Sequence, residues 1–191
     1  MKILALQGSP RRDGNTEAVL DIVLEAAGQA GAETEVVRLA GLEGISGCRE
    51  CFACQQKPDE PGCAIEDDLQ NVLAKAIASD AVVWATPVFC WSPAWLTKIA
   101  MDRFYCMFKF KDDGQFDSLV EGRKVAAVIT AGGGEGDGAD LVKETCRRLA
   151  EFSKGKWLGA LVAANVANPE AIRADADLRE RAREFGRRLA G

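Results

Sequence analysis

Short apolar and β-branched runs recur five times along the chain, and segments with a helical spacing of apolar positions lie between them. The runs cover residues 2–7, 35–39, 81–86, 123–130 and 157–164. The first, third and fourth are apolar over most of their length, which is typical of parallel strands covered on both faces. The pattern therefore predicts five strands, three of them buried on both sides.

Helical patterns fill the gaps between these runs. In the first of them, Val19, Ile22, Val23 and Ala26 follow the i, i+3, i+4, i+7 spacing, and Gly31 marks the end. Further helices are predicted at 69–78 with Asp67 or Asp68 near the N-cap, at 93–103, at 139–152, and from Asn168-Pro169 to Leu189.

This strict alternation predicts an α/β fold. The expected architecture is a doubly wound, five-stranded parallel sheet of strand order 2-1-3-4-5 with helices on both faces, the order of flavodoxin-like folds. At 191 residues the chain has the length of one domain. The connections 40–66 and 105–121 are unusually long, and such loops are usually functional. We predict a single domain, 1–191, with a cysteine-rich insertion at about 40–66.

Charge and hydropathy exclude several classes of partner. The net charge of −5 disfavours a nucleic-acid surface, because such a surface needs clustered Lys and Arg. No apolar run approaches the roughly 18 residues of a membrane span, and the chain opens on a strand-like run instead of a signal peptide. We therefore expect a cytoplasmic protein without nucleic-acid or membrane partners.

The chain contains seven cysteines and no histidine. An odd number of cysteines in a chain of cytosolic type argues against a disulfide framework and for ligand or redox use. The lack of histidine excludes Ser-His-Asp, Cys-His and His-metal chemistry. Catalysis must therefore depend on a cofactor, and no side chain is predicted to be catalytic.

The segment 8–16, between the first strand and the first helix, is typical of a phosphate-binding turn. Backbone N–H groups, the Ser9 and Thr16 hydroxyls, the Asn15 amide and the Arg11 charge meet at a helix N-terminus, which favours an anion. Neither a Walker loop nor the three-glycine dinucleotide motif is present, so a single terminal phosphate fits best. An ordinary strand-to-helix turn remains the alternative.

This segment, Gly8-Ser9-Pro10-Arg11-Arg12-Asp13-Gly14-Asn15-Thr16, resembles the G-S-P-R-x-x-G-N-T loop of the NADPH-dependent FMN reductase superfamily, which has a flavodoxin-like fold. The resemblance extends to 67–68, 86–91 and 98–103, and so covers about the first 135 residues. It implies that the FMN phosphate is held by Ser9, Arg11, Gly14, Asn15 and Thr16.

Two further loops are expected to face the flavin ring. After the third strand come Pro87, Val88, Phe89, Cys90 and Trp91, and after the fourth come Ala131, Gly132 and Gly133. Rigid backbone groups and flat side chains suit the polar edge and the faces of the ring. Alternatively, the aromatic residues only pack a helix onto the sheet, which is the interpretation favoured for Trp95, and the glycine-rich segment is only flexible.

Cys48, Cys51 and Cys54 follow a two-residue spacing, and Cys63 comes after a gap of eight residues. Thiolates at that spacing suit a [4Fe-4S] cluster. The cluster motif resembles that of iron-sulfur flavoproteins, a branch of the same superfamily, although its last gap is usually shorter there. Structural thiols, a zinc site and a Cys51–Cys54 dithiol remain alternatives. We expect Cys90, Cys106 and Cys146 to be small buried apolar residues.

The first hypothesis is an FMN-dependent oxidoreductase that passes electrons between a reduced donor, ferredoxin or NAD(P)H, and a small acceptor through FMN and a [4Fe-4S] cluster. A cluster-free NAD(P)H-dependent flavin or quinone reductase is the second, and a non-catalytic flavodoxin-type carrier or zinc-stabilised binding module the third. The aromatic segment 103–117 is expected to be a lid or an association strip, and the resemblance favours a homodimer or homotetramer.

Overall fold

The computed structural model describes residues 1–191 and contains a central parallel sheet. Its five long strands are β1 (Lys2–Gln7), β2 (Glu33–Arg38), β3 (Ala81–Phe89), β7 (Lys124–Thr130) and β8 (Lys156–Ala163). They lie in the order β2-β1-β3-β7-β8, and every neighbouring pair is parallel. This order is the predicted 2-1-3-4-5, so the doubly wound, flavodoxin-like fold is confirmed.

Three short strands stand outside this pattern. β4 (Ser92–Pro93) turns back and pairs antiparallel with the end of β3. β5 (Phe108–Phe110) and β6 (Phe116–Ser118) form a separate antiparallel hairpin. Because this hairpin occupies most of the predicted loop 105–121, that connection is more regular than expected.

Helices cover both faces of the sheet. One core lies beneath α1 (Asn15–Gln29), α5 (Pro169–Ala174) and α6 (Ala176–Ala190), and the other beneath α2 (Leu69–Ile77), α3 (Trp95–Arg103) and α4 (Asp140–Phe152). The sequence of β1 is continuously apolar because its successive residues are buried in alternate cores. Ile3 and Ala5 lie in the first core, and Leu4 and Leu6 lie in the second. No helix is both long and apolar enough to cross a membrane.

Two predicted helix boundaries are wrong. The helix expected from residue 93 begins at Trp95, because Pro93 pairs with Val88 across the β3–β4 turn. The single C-terminal helix is two helices, since Asp175 takes an extended conformation and its side chain caps the N–H of Leu178. The predicted N-cap Asn168 does accept a hydrogen bond from the N–H of Ala171.

The long connection 40–66 carries only short 3₁₀ turns, at Leu39–Gly41 and Ala53–Gln56. Regular backbone hydrogen bonding therefore does not determine its shape. Side chains from α3 and β5 hold it against the rest of the molecule, as described below.

Candidate functional site

The predicted phosphate loop lies at the carboxyl edge of the sheet, between β1 and α1. The backbone N–H groups of Gly14, Asn15, Thr16 and Glu17 have no acceptor within the protein. They are the unpaired donors that every helix leaves at its N-terminus. A terminal phosphate group supplies the acceptors they lack, so this cradle fits the FMN phosphate.

Packing fixes the shape of this loop. A Cβ atom at Gly8 would overlap the hydroxyl of Thr97 on α3, so only glycine fits there. Asn15 donates from Nδ2 to the carbonyl of Val166 at 3.1 Å, and the Thr16 hydroxyl lies 2.8 Å from that of Thr130. The Asn15 and Thr16 side chains thus link the loop to β7 and to the segment after β8.

The second predicted loop is a tight turn between β3 and β4. Its central residues, Cys90 and Trp91, have φ angles of 48° and 58°. A two-residue turn with both φ angles positive is normally built from Asn and Gly, so this pair is strained. The turn holds Trp91 out from the sheet, where its side chain is 64% exposed and its indole Nε1 donates to Asp137 at 3.2 Å.

The third loop completes a cavity with this turn. The cavity measures about 320 Å³ and is lined by Val88, Cys90, Trp91, Ala131, Gly132, Gly133 and Asp137. This volume is at the lower end of the range for small-molecule sites. Gly138 is required beside it, because its φ is +100° and a Cβ there would lie 3.0 Å from Trp91. The cavity therefore fits part of a flat ring against Trp91.

Two predicted contacts differ from this geometry. Trp95 does not pack a helix onto the sheet, since its side chain is 57% exposed. It stands at the first residue of α3, where one face of the helix points away from the core. Cys90 was expected to be buried, but it is exposed at the tip of the turn.

The four predicted cluster ligands line one small cavity. Cys48, Cys51, Cys54 and Cys63 all contribute to its wall, together with a fifth cysteine, Cys106. The cavity measures about 20 Å³, room for about one water molecule. No three of these side chains are close enough to hold a metal ion in this conformation. The donor set fits an iron-sulfur cluster in chemistry, and two of its members, Cys48 and Cys51, are exposed.

Arg103 on α3 anchors both ends of the cysteine segment. Its side chain is completely buried and binds the carboxylate of Asp67 at 2.6 and 3.1 Å. It also donates to the carbonyls of Ser46 and Ile65 at 3.1 and 3.2 Å. Burial acts to lower the pKa of Arg103, but its interactions with Asp67 and Cys63 together outweigh burial and raise the pKa. A charged network thus fixes the segment before Cys48 and after Cys63.

The β5–β6 hairpin supports the middle of the same segment. The side chain of Gln55 donates to the carbonyl of Phe108 at 2.9 Å and accepts from the N–H of Phe110 at 3.0 Å. Phe104 and Phe108 are buried, and Phe110 is exposed. The aromatic segment is therefore part core and part support for the cysteine segment, and its role in association stays a prediction.

Three residues of this arrangement were missed at the sequence level. Cys106 is buried in the core as predicted and also lines the cysteine cavity, and the sequence does not single out Arg103 and Lys109 as site residues. Their sequence signal is a group of basic residues and a cysteine at and just after the end of α3, and Arg103 also ends the stretch 98–103 in which the chain resembles the family. The hydrogen bonds that Arg103 and Lys109 make to the cysteine segment join residues 36 to 57 positions apart in the sequence.

The chain matches a known protein family over most of its length. The model of the family described as NADPH-dependent FMN reductase matches residues 1–180. The chain belongs to that family. Membership confirms the predicted class, a flavin-dependent oxidoreductase, and agrees with the flavodoxin-like order of the sheet.

Among curated relatives, the chain is similar to two archaeal iron-sulfur flavoproteins. It is 29% identical over 140 residues to one from Methanosarcina thermophila, covering 73% of this chain and 68% of the relative. It is 33% identical over 103 residues to one from Methanocaldococcus jannaschii, covering 54% of this chain and 51% of the relative. The chain therefore spans about two thirds of the first relative and half of the second.

Solved structures agree on the fold. The NAD(P)H:quinone oxidoreductase from Methanothermobacter marburgensis superimposes with a TM-score of 0.71 at 19% identity, covering 100% of this chain and 98% of that one. At this level of identity the likeness shows a shared fold.

Proposed function

We propose that this protein is an FMN-dependent oxidoreductase that also carries a [4Fe-4S] cluster on Cys48, Cys51, Cys54 and Cys63. Its reduced donor would be ferredoxin or NAD(P)H, and its acceptor a small molecule. The flavin half rests on family membership and on the unpaired N–H groups of the phosphate loop. The cluster half rests on the cysteine cavity.

When bound, FMN supplies two-electron chemistry that can be divided into single electrons, and the cluster supplies one-electron exchange. The protein binds the FMN, orients it and shields it from water. Gly14, Asn15, Thr16 and Glu17 present backbone N–H groups to the phosphate. Trp91, held by Asp137, forms a wall that shields one side of the ring cavity from water. With no histidine in the chain, no residue is assigned proton transfer.

The observation that carries the cluster is the meeting of the cysteines in one cavity. The sequence leaves Cys63 separated from Cys54 by eight residues, and the fold brings both to the same wall. Soft thiolates in a group of four suit an iron-sulfur cluster. Two relatives that carry the name iron-sulfur flavoprotein support the proposal of a cluster at this cavity.

Anaerobic purification tests both halves at once. We expect stoichiometric FMN, about four irons and four acid-labile sulfides per chain, and a visible spectrum in which a broad cluster absorption underlies the flavin bands. Replacing Cys51 by Ser should abolish the iron and keep the FMN, and replacing Cys146 by Ser, on α4 and outside the cysteine cavity, should change neither. Protein with FMN and no iron would contradict the cluster half, and colourless protein would contradict both.

A cluster-free NAD(P)H-dependent reductase is the second candidate. The tightness of the cysteine cavity, at about 20 Å³, favours it. Under this alternative, anaerobic NADPH should bleach the flavin rapidly without added ferredoxin, and the Cys51→Ser variant should react at the wild-type rate.

A further inference from the structure

Lys109, on β5, is a lysine that the fold buries without an ion-pair partner. Its side chain is only 5% exposed. The ammonium Nζ donates to the carbonyl of Cys54 at 2.8 Å and to that of Pro61 at 3.2 Å. No carboxylate forms an ion pair with it, and Glu60 in the neighbouring loop pairs with Lys57 at 2.8 Å.

Such an arrangement is unusual because a buried charge normally has a charged partner. Lysine is almost never fully buried unless it is paired. Moving an ammonium out of water is costly, and two neutral carbonyl groups recover only part of the hydration free energy. A lysine kept in this position therefore points to a negatively charged group bound beside it.

The two carbonyls that Lys109 binds belong to different arms of the cysteine segment. Cys54 ends the triplet, and Pro61 lies two residues before Cys63. One nitrogen atom thus joins the arms that the eight-residue gap separates. Cys106 lies three residues before Lys109 and lines the cysteine cavity. The short segment 106–109 therefore contacts the cysteine segment at both of its ends.

We propose that Lys109 is a positioning residue for the thiolate cluster, which draws the Cys48–Cys54 arm and the Cys63 arm together and supplies the positive charge that balances the bound group. This inference rests on the proposed function. Four thiolates around a [4Fe-4S] core leave a net negative charge, and uptake of one electron from the reduced donor increases it. A fixed buried cation therefore favours the reduced form.

The test compares three variants of the full-length protein purified anaerobically. Lys109→Met removes the charge, Lys109→Arg keeps it with a different shape, and Lys111→Met is the matched control. Lys111 lies on the same hairpin segment, but it is half-exposed and pairs with Asp117 at 2.9 Å. The readouts are iron per FMN, the resistance of the iron to a chelator, and the midpoint potential of the cluster in a dithionite titration followed by electron paramagnetic resonance.

We expect Lys109→Met to lose iron to the chelator about tenfold faster, in line with other substitutions beside metal ligands. Among the molecules that keep iron, the equilibrium constant for one-electron reduction should fall about tenfold, a downward shift of about 59 mV. Lys109→Arg should keep a potential near that of the wild type, and Lys111→Met should match the wild type in every readout.

The outcomes separate the two proposals. Wild-type protein without iron contradicts the proposed cluster, and with it this role of Lys109. Iron-loaded wild type together with a Lys109→Met variant of unchanged iron retention and potential contradicts only the role of Lys109. Loss of FMN binding would show that Lys109→Met does not fold, and Lys109→Arg then decides. This variant keeps the positive charge and changes only the shape of the side chain. A lowered midpoint potential of the cluster in Lys109→Arg would therefore contradict the charge argument.

Discussion

At the scale of single residues, the buried ion pair of Arg103 and Asp67 should contribute most to holding the cysteine segment. Both side chains are almost completely buried, and their contact is bidentate. We expect Arg103→Met to lower the free energy of unfolding by about 3–5 kcal/mol, because it leaves a buried carboxylate unpaired. Urea denaturation measures this loss.

The control for Arg103 is an exposed pair on the same helix. Lys98 and Asp102 lie 2.6 Å apart with side chains that are 51% and 43% exposed. Breaking that pair with Lys98→Met should cost less than about 1 kcal/mol, because water screens it. Equal losses in the two variants would show that burial is not the source of the stability.

The reactivity of individual cysteines offers a second test at this scale. In cluster-free protein at pH 8, the exposed Cys48, Cys51 and Cys90 should react with iodoacetamide, and Cys146 should not. Burial raises the pKa of Cys146 to about 12, so it is almost entirely protonated at that pH. Reconstituting the cluster with iron and sulfide in FMN-bound protein should protect Cys48 and Cys51 and leave the rate at Cys90 unchanged. Unchanged labelling of all three would argue against the proposed ligands.

At the scale of elements, the β3–β4 turn should govern flavin affinity. Trp91 lines the ring cavity, whereas Trp95, four residues later, is exposed and does not line it. We expect Trp91→Ala to weaken FMN binding about tenfold, or about 1.4 kcal/mol, through loss of an aromatic contact. Trp95→Ala should bind FMN like the wild type. Fluorescence titration of the apoprotein with FMN measures both, and a larger effect at Trp95 would place the ring elsewhere.

The packing of α6 against α1 depends on one glycine. A Cβ at Gly186 would overlap the carbonyl oxygen of Val23, which belongs to a rigid helix backbone. We expect Gly186→Ala to destabilise the protein by about 1–3 kcal/mol, as other overpacked cores do. In contrast, Gly28 on α1 has open space around its Cα, and Gly28→Ala should be neutral or stabilise by up to about 1 kcal/mol. Thermal or urea unfolding of both variants checks this contrast.

At the scale of the whole molecule, the two cores are built on the same strands. Alternate residues of β1 supply both of them, so neither core can lose its packing alone. We therefore expect a single cooperative unfolding transition, with equal calorimetric and van't Hoff enthalpies. FMN at a hundred times its dissociation constant should add about 2.7 kcal/mol to the free energy of unfolding. Two separate transitions would contradict the single domain predicted from the sequence.

Much of this molecule follows from local sequence. The apolar runs of β1, β3 and β7 predict buried parallel strands, since only residues covered on both faces can be apolar at successive positions. The sequence of the Gly8–Thr16 segment predicts an anion site, because the unpaired N–H groups at a helix N-terminus are a local property of the backbone. The cysteine spacing likewise indicates a soft-ligand site before any fold is known.

Tertiary structure alone decided how the cysteine segment is held. Arg103 meets Asp67 across 36 residues, and Lys109 meets Cys54 across 55, and neither contact leaves a periodic trace in the sequence. The same packing brought Cys106 to the cavity and placed the β5–β6 hairpin against the cysteine segment. Local patterns report which face of an element is buried, but the partner of a buried charge is fixed only when distant elements pack together.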